Sequence, residues 1–307
     1  MSENRKIDEA TGVETVGHEW DGIEELNNPL PRWWVLTFYA TLLFAIGYMV
    51  VYPALPGLHS GSVGLWKWTS RGQLASEVAA ADRVRAPLIA ALAKTPIEQL
   101  PTKPELMERA VAGGRAAFRV NCIQCHGSEA QGSRGYPNLA DDDWLWGGDL
   151  KTIETTITHG VRFAGDAQTR QSRMPSFGRD GILTPEQVGD MADYVRSLSG
   201  AQAANAATRR GAAIFAANCA VCHGPEGRGG RKVGAPNLAD QIWLYGGAKA
   251  DVVASVTNAH AGVMPAWVQR LDPVTIKMLA AYVHSLGGGE KFDPALAMAQ
   301  APATAAK

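Results

Sequence analysis

Residues 121–127 read N-C-I-Q-C-H-G, and residues 218–224 read N-C-A-V-C-H-G. Two cysteines two residues apart, followed at once by histidine, form the pattern of covalent c-type haem attachment. About one helical turn apart, Cys122 and Cys125 can bond the two vinyl groups of a single porphyrin. His126 is then held beneath the ring with an imidazole nitrogen directed at iron. Cys219, Cys222 and His223 repeat the arrangement, so all four cysteines of the chain are used and none is left for a structural disulfide. A zinc site would need both pairs to converge on one tetrahedral centre, and it does not explain a histidine after each pair. A redox dithiol needs a βαβ setting, and no β-rich pattern flanks either motif. The expectation is two covalently bound c-type haems.

The motifs lie inside a longer repeat. Residues 115–127, R-A-A-F-R-V-N-C-I-Q-C-H-G, match 212–224, A-A-I-F-A-A-N-C-A-V-C-H-G. Residues 137–148, P-N-L-A-D-D-D-W-L-W-G-G, match 236–247, P-N-L-A-D-Q-I-W-L-Y-G-G. Each copy closes on a similar helix, A-D-Y-V-R-S-L at 192–198 and A-A-Y-V-H-S-L at 280–286, that ends at glycine. Abundant Ala and Gly with few β-branched runs favour a mainly α class. The expected order is a connector over 56–104, cytochrome c-like helical domains over 105–199 and 209–288 with a small-residue linker over 200–208, and an Ala-rich disordered tail over 289–307. Charge is balanced, 29 basic against 30 acidic residues, which leaves no nucleic-acid footprint.

Each iron needs a sixth ligand. Of the eight methionines, only Met174 and Met264 occupy corresponding places, downstream of the haem motif and directly before Pro175 and Pro265. Met49 belongs to an apolar run, and Met191 and Met278 are out of register on the closing helices. Met/His ligation raises the reduction potential and closes the iron to substrate, which suits electron transfer rather than catalysis, and no catalytic residue is assigned. His159 and His260 compete as distal ligands but are offset by one position in the repeat; His18, His59 and His284 have no matching partner. The carbonyls of Pro137 and Pro236 are placed to accept from the proximal histidines and set their tautomers. Trp144, Trp146, Trp243 and Tyr245 pack on haem edges, bond propionates or fill the core. Spacing leaves open which methionine serves which haem. If the two domains packed face to face, Met174 could reach the iron of His223, and Met264 that of His126.

Residues 1–32 are polar, with eight acidic side chains against Arg5, Lys6 and Arg32, and carry neither a basic n-region leading into an apolar stretch nor a small-residue cleavage site. A removable signal peptide is therefore not expected. Residues 33–55 are apolar, no Lys, Arg, Asp or Glu occurs between Arg32 and Lys67, and the run suits a helix crossing about 30 Å of hydrocarbon. Trp33, Trp34, Tyr48 and Tyr52 sit near its ends as interfacial aromatics do. Lys67 and Arg71 beyond it outnumber Arg32 before it, a small bias toward the opposite topology. Haem attachment, which occurs outside the bacterial cytoplasm, outweighs that bias. Residues 1–32 are expected in the cytoplasm and the haem domains in the periplasm, on a single-pass inner-membrane anchor.

With these residues assembled, the chain resembles the CcoP (FixP) subunits of cbb3-type cytochrome c oxidases over nearly its whole length. The specific part is the entry segment at 18–34, H-E-W-D-G-I-E-E-L-N-N-P-L-P-R-W-W, which a generic dihaem cytochrome lacks. Some family members carry a second N-terminal membrane helix; this sequence shows one. The resemblance implies haem attachment at Cys122, Cys125, Cys219 and Cys222, proximal ligation by His126 and His223, and distal ligation by Met174 and Met264. It also implies electrons arriving from a cytochrome c donor and leaving through a monohaem subunit to a haem–copper subunit that reduces oxygen and pumps protons. Two other functions compete: a free membrane-anchored dihaem shuttle, and a dihaem peroxidase, which needs an open iron that two register-matched Met-Pro loops argue against.

Overall fold

The computed structural model describes residues 5–57 and 61–291. His59 and the expected disordered tail from residue 292 onward lie outside the described residues. The chain forms two compact units, one ending at Val84 and the other beginning at Arg85.

The first unit opens with a hairpin that the sequence reading did not anticipate. Strand β1 (Thr15–Trp20) pairs antiparallel with β2 (Ile23–Leu26), with Trp20 opposite Ile23 and Glu19 opposite Glu24. Asp21 and Gly22 form its tip at φ of 50° and 83°, the pair of positive values a two-residue hairpin turn requires. Helix α1 (Arg32–Val51) is long and apolar enough to cross a membrane and has no buried residue. It stops short of residue 55 because Pro53 pushes Tyr52 into extended backbone, φ −106° and ψ 159°. The chain then doubles back, so that Leu65 and Trp66 amides donate to the Val50 and Val51 carbonyls at 3.0 and 3.2 Å. Gly64 permits this approach, since a β-carbon there would strike the Val51 carbonyl. Tyr48 stacks on Tyr52 at 4.6 Å, and Trp66 and Trp68 meet Tyr52 edge-on, an aromatic group of the kind found at membrane–water interfaces. Helix α2 (Ser70–Lys94) lies within the expected connector and runs on past the end of the first unit.

The second unit is helical: a 3-10 turn (Ile97–Thr102), then α3 (Pro104–Asn121), α4 (Ile123–His126), α5 (Leu150–His159), α6 (Pro185–Leu198), α7 (Ala206–Asn218), α8 (Ala220–His223), α9 (Lys249–Asn258) and α10 (Pro273–His284). Its two hydrophobic cores do not follow the two sequence repeats. In one body, α3 packs on α10 and α10 on α5, around Leu92, Phe118, Ile153, Ile157 and Leu279. In the other, α6 packs on α7 and α9, around Met191, Val195, Phe215, Val252 and Val256. The first body (body A) thus takes its closing helix from the second repeat. The other (body B) takes it from the first, and in chain order B is inserted into A.

The two crossings are built alike. A β-carbon on Gly114 would strike the Met278 carbonyl, and one on Gly211 would strike the Asp190 carbonyl. One turn along, Phe118 meets Tyr282 and Phe215 meets Tyr194, both at 5.3 Å between ring centroids. Since the obstacle at Gly114 is backbone, the Gly114→Ala helix pair must separate. We expect it to lose about 1–3 kcal/mol of stability, read as a lower denaturation midpoint of the haem-bearing unit.

The bodies meet along their loops. The Gly135 amide donates to the Leu244 carbonyl at 2.8 Å, Arg134 pairs with Asp251 at 2.7 Å, and Arg231 pairs with Glu290. Beside this contact, partial burial and the neighbouring Asp240, Asp141 and Asp142 push the Asp143 carboxyl up to about 6. A carboxyl raised on folding is bound by a proton in the native state at pH values where the unfolded chain has lost it. Its ionisation therefore withdraws stability as pH rises from about 4 to 6. Asp143→Asn should accordingly raise the unfolding midpoint at pH 7, by about 1 kcal/mol after solvent screening, and leave it unchanged near pH 4.

Candidate haem sites

Each haem motif is positioned by a helix that ends on it. In body A, α3 runs into Cys122, whose amide bonds the Phe118 carbonyl, and α4 carries Cys125 and His126 before Gly127 turns the chain at φ 77°. In body B, α7, Cys219, α8 and Gly224 at φ 77° do the same. Cys122 and Cys219 face inward while Cys125 and Cys222 are exposed. The pairs lie in different cores, so they cannot converge on one tetrahedral metal. Burial pushes the Cys122 and Cys219 thiols up to about 11, opposite to the lowered value a reactive dithiol needs.

Both histidines are oriented from behind, as the Pro-Asn-Leu loops predict. His126 Nδ1 lies 3.1 Å from the Pro137 carbonyl, and His223 Nδ1 lies 3.0 Å from that of Pro236. A carbonyl only accepts, so Nδ1 carries the proton and Nε2 keeps its lone pair for iron. Burial lowers the pKa of both imidazoles, against the opposing effect of the proline carbonyls, which holds them neutral. The donor set therefore fits haem iron: a neutral imidazole with a fixed tautomer, two thiols on one turn, and a soft thioether in the same core.

The thioethers come from across the repeat. Met264 packs against the core that contains Phe118, as Cys122 and Ile123 do, whereas Met174 packs against the core that contains Cys219. The main chain holds both loops in place. Met264 exchanges two hydrogen bonds of 3.0 Å with Val161 just beyond α5. The Met174 loop is tied to the end of α9 by Arg179 N to Thr257 O at 2.9 Å and Ser176 Oγ to Asn258 O at 2.8 Å. The structure thus places Met264 on the core that Cys122 packs against, and Met174 on the core that contains Cys219. The competing histidines are engaged elsewhere: His159 Nδ1 lies 3.1 Å from Asp166, and His260 stacks on Tyr245 at 3.8 Å. Trp144 donates to the Gly288 carbonyl at 2.6 Å within body A, and Trp243 lies against the core of body B.

Sequence reading missed one buried cation. Arg170, only 8% exposed, donates to Thr156 Oγ1 at 3.0 Å and lies 5.0 Å from the Trp146 ring. Burial lowers its pKa to about 10. Nearby, Asp149 caps α5 through Oδ1 while its Oδ2 is buried without a hydrogen bond. Arg170 falls in the longer approach to Met174, which the second repeat lacks, so repeat matching gave no signal for it.

An apolar N-terminal anchor followed by two haem-motif helical bodies defines a membrane-anchored c-type cytochrome with two cytochrome c domains. Comparison with known proteins narrows this. Residues 12–59 match the N-terminal domain of cytochrome oxidase-cbb3, FixP; residues 111–199 match cytochrome c; and residues 206–283 match cytochrome c oxidase, cbb3-type, subunit III. The chain is 50% identical to the cbb3-type cytochrome c oxidase subunit FixP of Bradyrhizobium sp. strain ORS 278, over 94% of this chain and 100% of that one. It is 51% identical to FixP of Azorhizobium caulinodans, over 94% and 98% of the two chains. With the subunit CcoP of Cereibacter sphaeroides it shares 49% identity over 90% of this chain and 95% of that one. The chain belongs to the FixP/CcoP family of cbb3-type cytochrome c oxidase subunits.

Proposed function

We propose that this chain is the dihaem electron-entry subunit of a cbb3-type oxidase, with one c-type haem in each body. Cys122 and Cys125 hold one haem with His126 and Met264 as axial ligands; Cys219 and Cys222 hold the other with His223 and Met174. The observation that carries this reading is the pairing of a carbonyl-oriented histidine and a core-packed methionine in both bodies. A bound haem supplies a one-electron ferric–ferrous couple. The residues around it close both axial positions, which favours electron transfer over peroxide or oxygen chemistry.

Residues 1–32 lie in the cytoplasm in this reading, α1 crosses the inner membrane, and the haem-bearing unit works in the periplasm. There the chain accepts electrons from a periplasmic cytochrome c and passes them through the monohaem subunit to the haem–copper subunit, which reduces oxygen and pumps protons. The named relatives are subunits of that oxidase, which supports these partners.

Two experiments test the reading. Met264→Ala should lower the potential of one haem and let it bind carbon monoxide when reduced, and Met174→Ala should do so for the other, because the soft thioether favours ferrous iron. Unchanged potentials in both variants would remove the methionine assignment. Deletion of residues 14–31, which takes out the hairpin, should leave two covalent haems on the chain but release it from the haem–copper subunit in mild-detergent purification. Retention of the complex after that deletion would count against the hairpin as a subunit contact.

A further inference from the structure

The contact between the bodies repeats itself. Trp146 and Tyr245 are mates in the repeat, and so are Gly135 and Gly234, each two residues before the proline whose carbonyl holds an axial histidine. Tyr245, on a loop of body B, lies against Gly135 of body A, where a β-carbon would come within 3.4 Å of the ring. The adjoining Leu244 carbonyl accepts from the Gly135 amide at 2.8 Å. Conversely, the Trp146 indole of body A fills the space that a β-carbon on Gly234 of body B would need. Both glycines have positive φ, 87° and 61°, which side chains rarely adopt; at Gly234 the Trp146 ring occupies the place of a β-carbon, and at Gly135 the Tyr245 ring lies at contact distance from it.

Each of these loops is short and fastened to its own histidine at both ends. Gly132 N bonds the His126 carbonyl at 2.8 Å and Pro137 O receives His126 Nδ1; Gly229 N bonds the His223 carbonyl at 2.8 Å and Pro236 O receives His223 Nδ1. One aromatic ring on one glycine would be ordinary packing. Here the same two repeat positions meet twice, each time between bodies, and each time beside the carbonyl that orients an axial ligand.

We propose that Tyr245 is a positioning residue for the haem held by His126, and Trp146 for the haem held by His223, so that each body sets the reduction potential of its neighbour. The inference rests on the two-haem reading above. Removing a ring lets the loop relax and weakens the hydrogen bond from Nδ1 to the proline carbonyl. The imidazole then donates less electron density, and the ferrous state gains. Tyr245 also stacks on His260, four residues before Met264, so this contact too bears on the haem held by His126.

The test is optical potentiometry of the full-length holoprotein in detergent, with one haem labelled independently of the methionines. Cys125 is exposed, and in Cys125→Ala the haem of His126 keeps a free vinyl group whose conjugation moves its visible band to longer wavelength. In that background Tyr245→Ala should raise the potential of the labelled haem, Tyr245→Phe should leave it in place, and Trp146→Ala should raise the unlabelled one. A Tyr245→Ala shift confined to the unlabelled haem, or no shift in either, would overturn the proposal. Should Tyr245→Ala not accumulate, Tyr245→Leu in the same background supplies the same reading. A preparation carrying fewer than two haems before any substitution would instead overturn the two-haem reading beneath it.

Discussion

Body A exists only when α10, after the whole of body B has been made, returns to lie on α3. The crossing at Gly114 brings backbone against backbone, and the ring of Phe118, 1% exposed, closes against Tyr282 one turn away. Burying an aromatic side chain of this size contributes about 2–3 kcal/mol, and truncating one in a core costs about 3–5 kcal/mol. Each haem motif sits at the end of the helix so pinned. The place of His126 therefore depends on residues about 150 positions away, and Met264 arrives on the segment that brings α10 home.

That dependence explains which parts of the protein were legible in its sequence. The haem motifs and the two proline carbonyls were readable because each follows from local chemistry within a dozen residues or so, and the Met-Pro loops because they hold matching places in the repeat. The exchange of closing helices was not. The two candidates, A-D-Y-V-R-S-L and A-A-Y-V-H-S-L, present the same tyrosine to the same glycine, and the contacts that distinguish the helices, Asp190 with Arg210 and Lys277 with the Leu92 carbonyl, lie outside the matched stretches. The route of the chain follows from the exchange: residues 160–173 and 259–263 lead from one body to the other, and Val161 bonds Met264 where they meet. The hairpin at Asp21-Gly22 did carry a signal in its Asp-Gly pair, but the flanking T-V-G-H-E-W and I-E-E-L lack the sustained alternation that marks a strand. Pro53 likewise marked the end of α1 more sharply than hydropathy did.

Interleaving has a consequence for electron transfer. Two domains on a flexible linker would vary their separation, whereas an inserted body crosses to its neighbour twice and is held at both crossings. Trp146 and Tyr245, with the Gly135–Leu244 hydrogen bond, lie in that interface. At the other end of the chain, Tyr52, Trp66 and Trp68 gather where α1 ends, and the following turn satisfies the last carbonyls of the helix, as an apolar surround demands.

The central claim is that each iron takes its two axial ligands from different repeats. An experimental structure of the haem-loaded protein tests it most directly. The account predicts Met264 Sδ on the iron bound by His126 and Met174 Sδ on the iron bound by His223. Met174 on the iron of His126, with α6 rather than α10 packed on α3, would contradict it.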